Sequence, residues 1–527
     1  MFKVRWLGRV RFNDAYAVQK ALHDGSRDDY LLLLEHAHVY TMGVRAKEDH
    51  LLAQPAAFGA ELVKTDRGGD ITYHGPGQLV VYPVLSLPWK KGVVPEYVHG
   101  MEQVVIDTLD ELGLHGAGRL EGYPGVWLDT DGERPRKICA IGVRISRGRT
   151  MHGLALNVDP DLSMFTHIVP CGISDKPVTS LAAEGVRVSM ADVVEIFVRK
   201  AVDRWAKGQE VDCQYLQPIR GDRTMPPTSQ NESSRGTDTA VAITRRKPPW
   251  LRAVMHMGPG YRAVDRTVKR LGLHTVCEEA GCPNIFECWG GGTATFMING
   301  ERCTRSCAFC MVDTAKPLPL DPKEPESVAE AVVRMGLNYA VVTSVARDDL
   351  PDGGASGFAA TIRSIREKSP STLVEVLVPD FKGDDRSLQV VFDARPDVFN
   401  HNLETVLALQ RSVRPSASYA RSLSVLARAK QVGLTTKSGL MVGLGESYEE
   451  VIGAISDLAS VGVDILTVGQ YLPPSAKHRP VSRWWHPDEF EQLKREAVSM
   501  GFSTVMAAPL VRSSYHAKET LWAVESM

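Results

Sequence analysis

In the second half of the chain the apolar positions come in short runs. They are "TFMI" (295–298), "AVVTSV" (340–345), "LVEVLV" (373–378), "DVFN" (397–400), "TKSGLMV" (436–442) and "DILTVG" (464–469). Runs of this length predict strands. Helical patterns separate them, such as "ESVAEAVVRMGL" (326–337) and "SYEEVIGAISDLASVG" (447–462). The latter opens with Ser447 and Glu450, the spacing of a capping box, just ahead of an apolar-periodic run. Six βα units in series predict a parallel sheet closing into a barrel or partial barrel. The first half patterns differently. Its strongest signal is "RGGDITYHGPGQLVVYPV" (67–84), where two glycine-rich turns flank Tyr73 and His74 before a strand begins.

Between the halves the pattern stops. Residues 218–249 are rich in Pro, Ser, Thr, Gly and charge and poor in apolar positions, which reads as an exposed linker. The chain then divides into a domain at 1–217, a flexible linker at 218–246 and a second domain at 247–527. No internal repeat relates the halves, so two unrelated α/β folds are expected. The 527-residue length fits that division. A hydrophobic content of 43% and a formal charge of −2 describe an ordinary soluble globular protein. The charge balance gives no electrostatic argument for a nucleic-acid partner, and no apolar run is long enough for a membrane span. "MFKVRWLGRVRFNDAY" has no uninterrupted apolar core, so no secretory signal is read. A cytoplasmic location is expected, with a mitochondrial one left open.

Six of the nine cysteines fall between residues 277 and 310. "CEEAGCPNIFEC" carries Cys277, Cys282 and Cys288, and "CTRSCAFC" carries Cys303, Cys307 and Cys310. Disulfides fit poorly without a secretory signal. Structural zinc favours paired Cys-x2-Cys units giving four ligands, whereas each group here has three cysteines and only one such pair occurs. Three thiolates suit a four-iron cluster with one iron left for another ligand, since such clusters normally take four cysteines.

The Cys-x3-Cys-x2-Cys spacing of Cys303, Cys307 and Cys310 resembles that of the radical S-adenosylmethionine enzymes. The resemblance implies a partial (β/α)6 TIM-like barrel and a cluster whose open iron chelates S-adenosyl-L-methionine. Reductive cleavage would then give a radical that takes hydrogen from unactivated carbon. The Cys-x4-Cys-x5-Cys group is similar to the auxiliary-cluster motif of lipoyl synthase. "RDDLPDGGA" (347–355), "HNLETV" (401–406), "KSGLMVGLGE" (437–446), "GQYLPPS" (469–475) and "RSSYHA" (512–517) keep that family's order over roughly 247–527. The family match implies two [4Fe-4S] clusters, the second held by Cys277, Cys282, Cys288 and Ser513. It also implies insertion of two sulfurs at C6 and C8 of a protein-bound octanoyl chain. By itself "RSSYHA" reads as a tail loop whose serines merely cap a helix, and the ligand reading comes from the family match. "DGG" at 352–354 reads as a turn or as a backbone approach to S-adenosylmethionine. His401 and Asn402 end a strand and are expected near the barrel mouth, whereas Lys437 and Glu446 read equally as solvated charges. "SRWWHPDEF" (482–490) departs from the family pattern at Trp484 and Trp485, which touches only local packing or acceptor contacts.

In the first half, Cys171 lies between Pro170 and Gly172 in "VPCGIS" (169–174). It reads equally as an inert buried thiol or as a reactive one. Cys139, in an apolar strand, and Cys213, near the linker, have no comparable setting. With "RKICAIGVR" (136–144) and "HGLALNV" (152–158), these stretches resemble the lipoyl(octanoyl) transferases across 1–215. That family has the biotin/lipoate protein ligase fold, a mixed sheet flanked by helices. The resemblance makes Cys171 the acyl-thioester nucleophile and Lys137 the residue that lowers its pKa. His74 is implied as a proton shuttle. The acyl tunnel would be lined by Arg67, Gly68, Gly69, Thr72, Tyr73, His74, Ala140, Ile141, Gly142, Gly153, Leu154 and Ala155.

Together the halves imply consecutive steps on one acceptor. Octanoyl passes from octanoyl-acyl carrier protein through Cys171 to a lysine of a lipoyl domain, and sulfur is then inserted. A thioester donor is already activated, so no ATP is needed. The implied acceptors are the lipoyl domains of 2-oxoacid dehydrogenase complexes and the glycine cleavage H protein. Ferredoxin or flavodoxin is the implied electron donor. Two rivals are a different two-cluster radical enzyme acting on transfer RNA, and a cluster-bearing redox sensor. The first would want a basic face; the second would need neither Ser513 nor Cys171.

Overall fold

The computed structural model describes residues 1–214 except 89, together with 247–252, 258–270, 273–275, 282, 284–290, 294–515, 517 and 521. The chain falls into two compact units, Met1–Gly221 and Asp222–Met527. The linker expected at 218–246 lies outside the described residues.

The first unit has eleven described strands: β1 (Phe2–Val10), β2 (Asp29–His36), β3 (Val39–Met42), β4 (Glu61–Lys64), β5 (Ile71–His74), β6 (Gln78–Val84), β7 (Gly118–Leu120), β8 (Tyr123–Leu128), β9 (Arg136–Ser146), β10 (Arg149–Asn157) and β11 (Val211–Gln214). Eight form one sheet in the order β11-β1-β2-β6-β10-β9-β8-β7, and β4-β3-β5 form a smaller one. β1 runs parallel to β2 and β11, and the other pairs of the large sheet are antiparallel. This is the mixed sheet expected. The helix Met190–Trp205 starts where Ser189 accepts the Asp192 N–H. It buries Val193, Val194, Phe197, Val198 and Ala201 on one stripe, as helical periodicity requires. That stripe joins a core with Leu31 and Leu33 of β2, Leu79 and Val81 of β6, and the helix Val93–Glu111.

Register positions the site here. β9 and β10 pair Ala140 with Ala155, Ile141 with Leu154 and Gly142 with Gly153. Two stretches distant in sequence, "AIG" and "GLA", are therefore direct cross-strand partners. The Gly68 N–H donates to the Val143 carbonyl at 3.0 Å, which lays the Arg67–Gly69 turn across β9.

The second unit is a sheet whose strands neighbour one another in chain order: β12 (His274–Thr275), β13 (Ala294–Ile298), β14 (Tyr339–Ser344), β15 (Leu373–Leu377), β16 (Val398–Asn400), β17 (Thr436–Val442), β18 (Ile465–Gln470) and β19 (Thr504–Ala507). β13 to β19 are all parallel, and β12 pairs antiparallel at the edge. All six strands expected from the sequence form, within one residue at either end. A seventh parallel strand, β19, was not anticipated, because its four-residue "TVMA" is too short to stand out as a run. The capping box at Ser447 and Glu450 forms, with both reciprocal hydrogen bonds.

β14 and β15 are apolar almost throughout because helices cover one face and the barrel interior the other. Two polar expectations change in this interior. Lys437 is fully buried rather than solvated, with Nζ 3.0 and 3.1 Å from the Glu375 carboxylate. Glu375 also accepts from Tyr339 Oη at 2.8 Å and Asn400 Nδ2 at 3.0 Å, so the buried charge is fully partnered. Glu446 is buried too, accepting from the Leu444 N–H at 2.9 Å and Trp485 Nε1 at 3.1 Å. Trp485 is thereby a packing residue of this unit.

Candidate active sites

Cys171 sits in a tight turn that a right-handed backbone could not make. Its φ is 55° and that of Gly172 is 71°, so a non-glycine residue is held in the sparsely populated left-handed region. The Gly172 N–H bonds the Val169 carbonyl at 3.0 Å, and the Ile173 N–H bonds that of Pro170 at 3.0 Å. A side chain at Gly172 would also strike Asp70 Oδ2, 2.8 Å from where its Cβ would lie. The turn opens on a cleft of about 290 Å³ whose lining includes Cys171, Lys137, Thr72, Tyr73, Gln78, Ala140, Ala155 and Phe165. Lys137 and Cys171 therefore share one cavity. The Lys137 ammonium also lies 4.6 Å from the centroid of the Trp127 ring, a cation–π contact that aims it. Trp127, Gln78 and Phe165 were not read from the sequence, because nothing local marks them.

Other residues expected at this site fall one layer back. Arg67 is buried and donates to the Thr41 hydroxyl at 3.1 and 2.9 Å and to the Gly68 carbonyl at 3.0 Å. Burial lowers its pKa, and the charges of Cys171, Tyr82 and Asp70 oppose that shift. His74 is fully buried and meets Gln78 Oε1 at 3.3 Å; Gln78, not His74, is on the cleft lining. Burial, then the neighbouring His36 and Arg67, push its pKa well below the usual value. A neutral supporting ring fits that setting better than a proton shuttle. Cys139 is buried, and burial drives its thiol pKa up, so it stays protonated. Burial also raises Cys213.

In the second unit, Cys303, Cys307 and Cys310 follow β13. Cys303 Sγ accepts the Arg305 N–H at 3.4 Å and the Ala346 N–H at 3.3 Å. Burial raises the pKa of Cys307, and that of Cys310 to about 11, with the neighbouring cysteines adding to both shifts. Thiols in that state need a metal to hold them ionised. Among the described residues no three His, Cys, Asp or Glu side chains converge on a single-ion position.

The nearby segment carries polar atoms with no partner of their own. Asn402 Oδ1, both ends of the Gln410 amide and Arg414 Nε are buried and unsatisfied. Glu404, at φ 69°, has its pKa raised by burial, partly offset by Arg414. The charges of Glu404 and Arg414 both reach Cys307. Buried polar atoms left open beside a thiol loop fit a charged, polar ligand such as S-adenosylmethionine. Asn402 is therefore near the site, but His401 is not a mouth residue. Its ring nitrogens meet the Val378 carbonyl at 2.8 Å and Ser422 Oγ at 3.0 Å. At 352–354, Gly353 and Gly354 have φ of 63° and 89°, and Asp352 accepts the Gly354 and Ser356 N–H groups, which the turn reading accounts for.

A second cleft, of about 260 Å³, joins Cys282 and Cys288 to the far end of the chain. Asn284, Thr295, Arg512, Ser514 and Tyr515 complete its lining. Asn284 Nδ2 donates to the Leu510 carbonyl at 2.7 Å, and Tyr515 Oη to Glu287 at 3.1 Å. Gly469 lets the C-terminal segment cross β18, since a Cβ there would lie 2.0 Å from the Val511 carbonyl oxygen. Burial raises the Cys282 thiol pKa, opposed by the Asn284 N–H and Arg512. Of the two adjacent serines, Ser514 is on this lining; Ser513, the residue expected, is its neighbour and is not on it. Cys277 lies outside the described residues.

Comparison with known proteins matches both halves. The family model of the lipoyl protein ligase A/B catalytic domain covers residues 12–201. Those of the radical SAM superfamily and of the N-terminal domain of lipoyl synthase cover 297–458 and 218–282. Lipoyl synthase of Rubrobacter xylanophilus is 58% identical over 275 residues, which is 52% of this chain and 86% of that protein. Lipoyl synthase of Mycobacterium avium is 55% identical over 283 residues, 54% of this chain and 91% of that one. Among solved structures, a bi-partite lipoate protein ligase from Thermoplasma acidophilum aligns at 18% identity and a TM-score of 0.34, covering 41% of this chain and 85% of its own. The chain belongs, through its second unit, to the lipoyl synthase family of radical S-adenosylmethionine enzymes, and carries a lipoyl protein ligase A/B catalytic domain ahead of it.

Proposed function

We propose that the first unit transfers octanoyl from octanoyl-acyl carrier protein to a lysine of a lipoyl domain, and that the second then thiolates that chain. The observation that carries the first step is the shared cleft of Cys171 and Lys137. The Cys171 thiolate attacks the carrier thioester carbonyl and the carrier leaves as its thiolate. The Lys137 ammonium stabilises that thiolate, with Trp127 fixing its place. Tyr73, Phe165, Ala140 and Ala155 offer the acyl chain an apolar wall. The acceptor amine then attacks the Cys171 thioester, an amide forms, Cys171 is released as thiolate, and the amine proton goes to the departed carrier thiolate.

For the second step, Cys303, Cys307 and Cys310 would hold one [4Fe-4S] cluster. Cys277, Cys282 and Cys288 would hold another, with an oxygen from the 512–515 segment; Ser514 is the better placed donor and Ser513 the alternative. When bound, these clusters and S-adenosylmethionine supply hydrogen abstraction from unactivated carbon and the inserted sulfur. Glu404, Asn402 and Arg414 bind the polar parts of the cofactor beside the loop. An electron donor such as ferredoxin or flavodoxin completes the system. The acceptors are lipoyl domains of 2-oxoacid dehydrogenase complexes and the glycine cleavage H protein.

The test is anaerobic mass spectrometry of an apo-lipoyl domain incubated with reconstituted protein and octanoyl-acyl carrier protein, with and without S-adenosylmethionine and reductant. The octanoyl mass without the cofactor, turning into the two-sulfur mass with it, is expected. Octanoylation that never gains sulfur in cluster-loaded protein overturns the second step, and no modification overturns both.

A further inference from the structure

Arg305 lies inside the three-cysteine loop, between Cys303 and Cys307, yet its side chain faces away from solvent into the barrel. Its Nε donates to Asp348 Oδ2 at 2.7 Å and its Nη2 to Asp348 Oδ1 at 2.8 Å, a two-pronged guanidinium–carboxylate pair. The same Nη2 reaches Asp380 Oδ1 at 2.7 Å. Asp380 is fully buried and also accepts from Arg421 Nη1 at 3.3 Å and the Lys382 N–H at 3.0 Å. Asp348 follows β14, Asp380 follows β15, and Arg421 belongs to the helix Tyr419–Gln431. One side chain thus ties the loop directly to the segments after β14 and β15, and through Asp380 to the helix Tyr419–Gln431.

The neighbouring backbone and hydroxyl bonds repeat the tie. Thr304 Oγ1 donates to the Ala346 carbonyl at 2.9 Å and accepts the Asp348 N–H at 3.0 Å. The Arg305 N–H and the Ala346 N–H both point at Cys303 Sγ. The side-chain ties of Arg305 and Thr304 involve no ligand atom, so they hold the loop whether or not iron is present. Donors aimed at a ligating sulfur and a cation beside the loop also favour the added electron, because both offset negative charge on the cluster.

We propose that Arg305 is a positioning residue for the iron-binding loop: through Asp348 and Asp380 it sets Cys303 and Cys307 for iron, and its charge makes the bound cluster easier to reduce. This rests on the reading of Cys303, Cys307 and Cys310 as iron ligands. The experiment compares full-length wild type, R305Q, R305K and D348N in three measurements. These are alkylation rates of the loop thiols in metal-free protein, iron retention against a competing chelator, and an EPR-monitored reductive titration.

R305Q and R305K are expected to alkylate faster at Cys303 and Cys307 and to hold iron about 10–100-fold less tightly, the usual cost of losing an outer-shell partner. R305Q is expected to need a more negative potential for reduction, and R305K, which keeps the charge, to shift less. D348N keeps Asp380 and the Arg305 charge, so it is expected to speed alkylation and weaken iron retention in smaller measure without the more negative potential of R305Q; its alkylation and iron retention decide the matter if R305Q does not fold. Wild type that takes up iron, with variants matching it in all three measurements, overturns the inference. Wild type that takes up none at the loop overturns the cysteine reading, and this inference with it.

Discussion

The left-handed turn at Cys171 shows how much one residue's surroundings decide. Three cysteines occur in the first unit, and of these Cys171 lines the cleft that Lys137 also lines. C171A is expected to abolish octanoyl transfer and the covalent acyl-protein seen by intact mass, while C213A retains both. K137M is expected to slow acyl-protein formation by about 10²–10⁴, the range for a positioned proton-handling or charge-stabilising group; a rate within twofold of wild type would remove Lys137 from the mechanism. At the other site, S514A and S513A separate two adjacent hydroxyls. S514A is expected to lose auxiliary-cluster iron, read by Mössbauer spectroscopy, with the loop cluster intact. The opposite pattern would return the ligand role to Ser513.

At the scale of elements, strand crossings and buried imidazoles set the limits. G469A forces a Cβ against the Val511 carbonyl, so the segment bearing Ser514 cannot cross β18 at its present height. Loss of auxiliary iron is expected, with the Cys303 loop still loaded; retention of both clusters would show that the crossing relaxes. Burial also holds His36 in β2 at about 4, and burial with Arg414 holds His401 after β16 at about 4. Unfolded imidazoles titrate near 6.5, so between these values the unfolded chain binds more protons. The folded state is therefore at full advantage above about pH 6.5 and loses it as pH falls toward 4. The slope is up to about 1.4 kcal/mol per pH unit for each histidine. Chemical denaturation across that window is expected to show H401Q less stable at pH 7 but with a shallower pH dependence. An unchanged slope would mean that His401 does not titrate in the unfolding step.

For the whole molecule, what matters is that two active units share a chain. Residues 218–246, expected from the sequence to be a linker, lie outside the described residues. Whether a coil of that length, about 30 Å in span, raises the second site's effective concentration for the octanoylated acceptor is a matter for experiment. A mixture of full-length C171A, active only in thiolation, and full-length C310A, active only in transfer, tests this against wild type at equal concentration of each site. Slower appearance of the two-sulfur product from the mixture is expected if fusion retains the intermediate, and equal rates would show free exchange. No helix among the described residues is long and apolar enough to cross a membrane.

Much of this protein is legible without coordinates. The βα series is, because a strand covered on both faces must be apolar wherever it falls; β19 is not, because four residues carry too little pattern. The six clustered cysteines are legible because ligand spacing along one loop is a local property. Other features arise only on folding. Cross-strand register makes partners of "AIG" and "GLA". Trp127 lies over Lys137 because β8 pairs with β9. Lys437 is buried on Glu375 because β15 and β17 both face the barrel interior. Ser514, rather than Ser513, lines the cleft of Cys282 and Cys288. Short-range chemistry is written in spacing, whereas the choice between neighbouring residues, and between a solvated charge and a buried one, depends on which distant segments packing brings together.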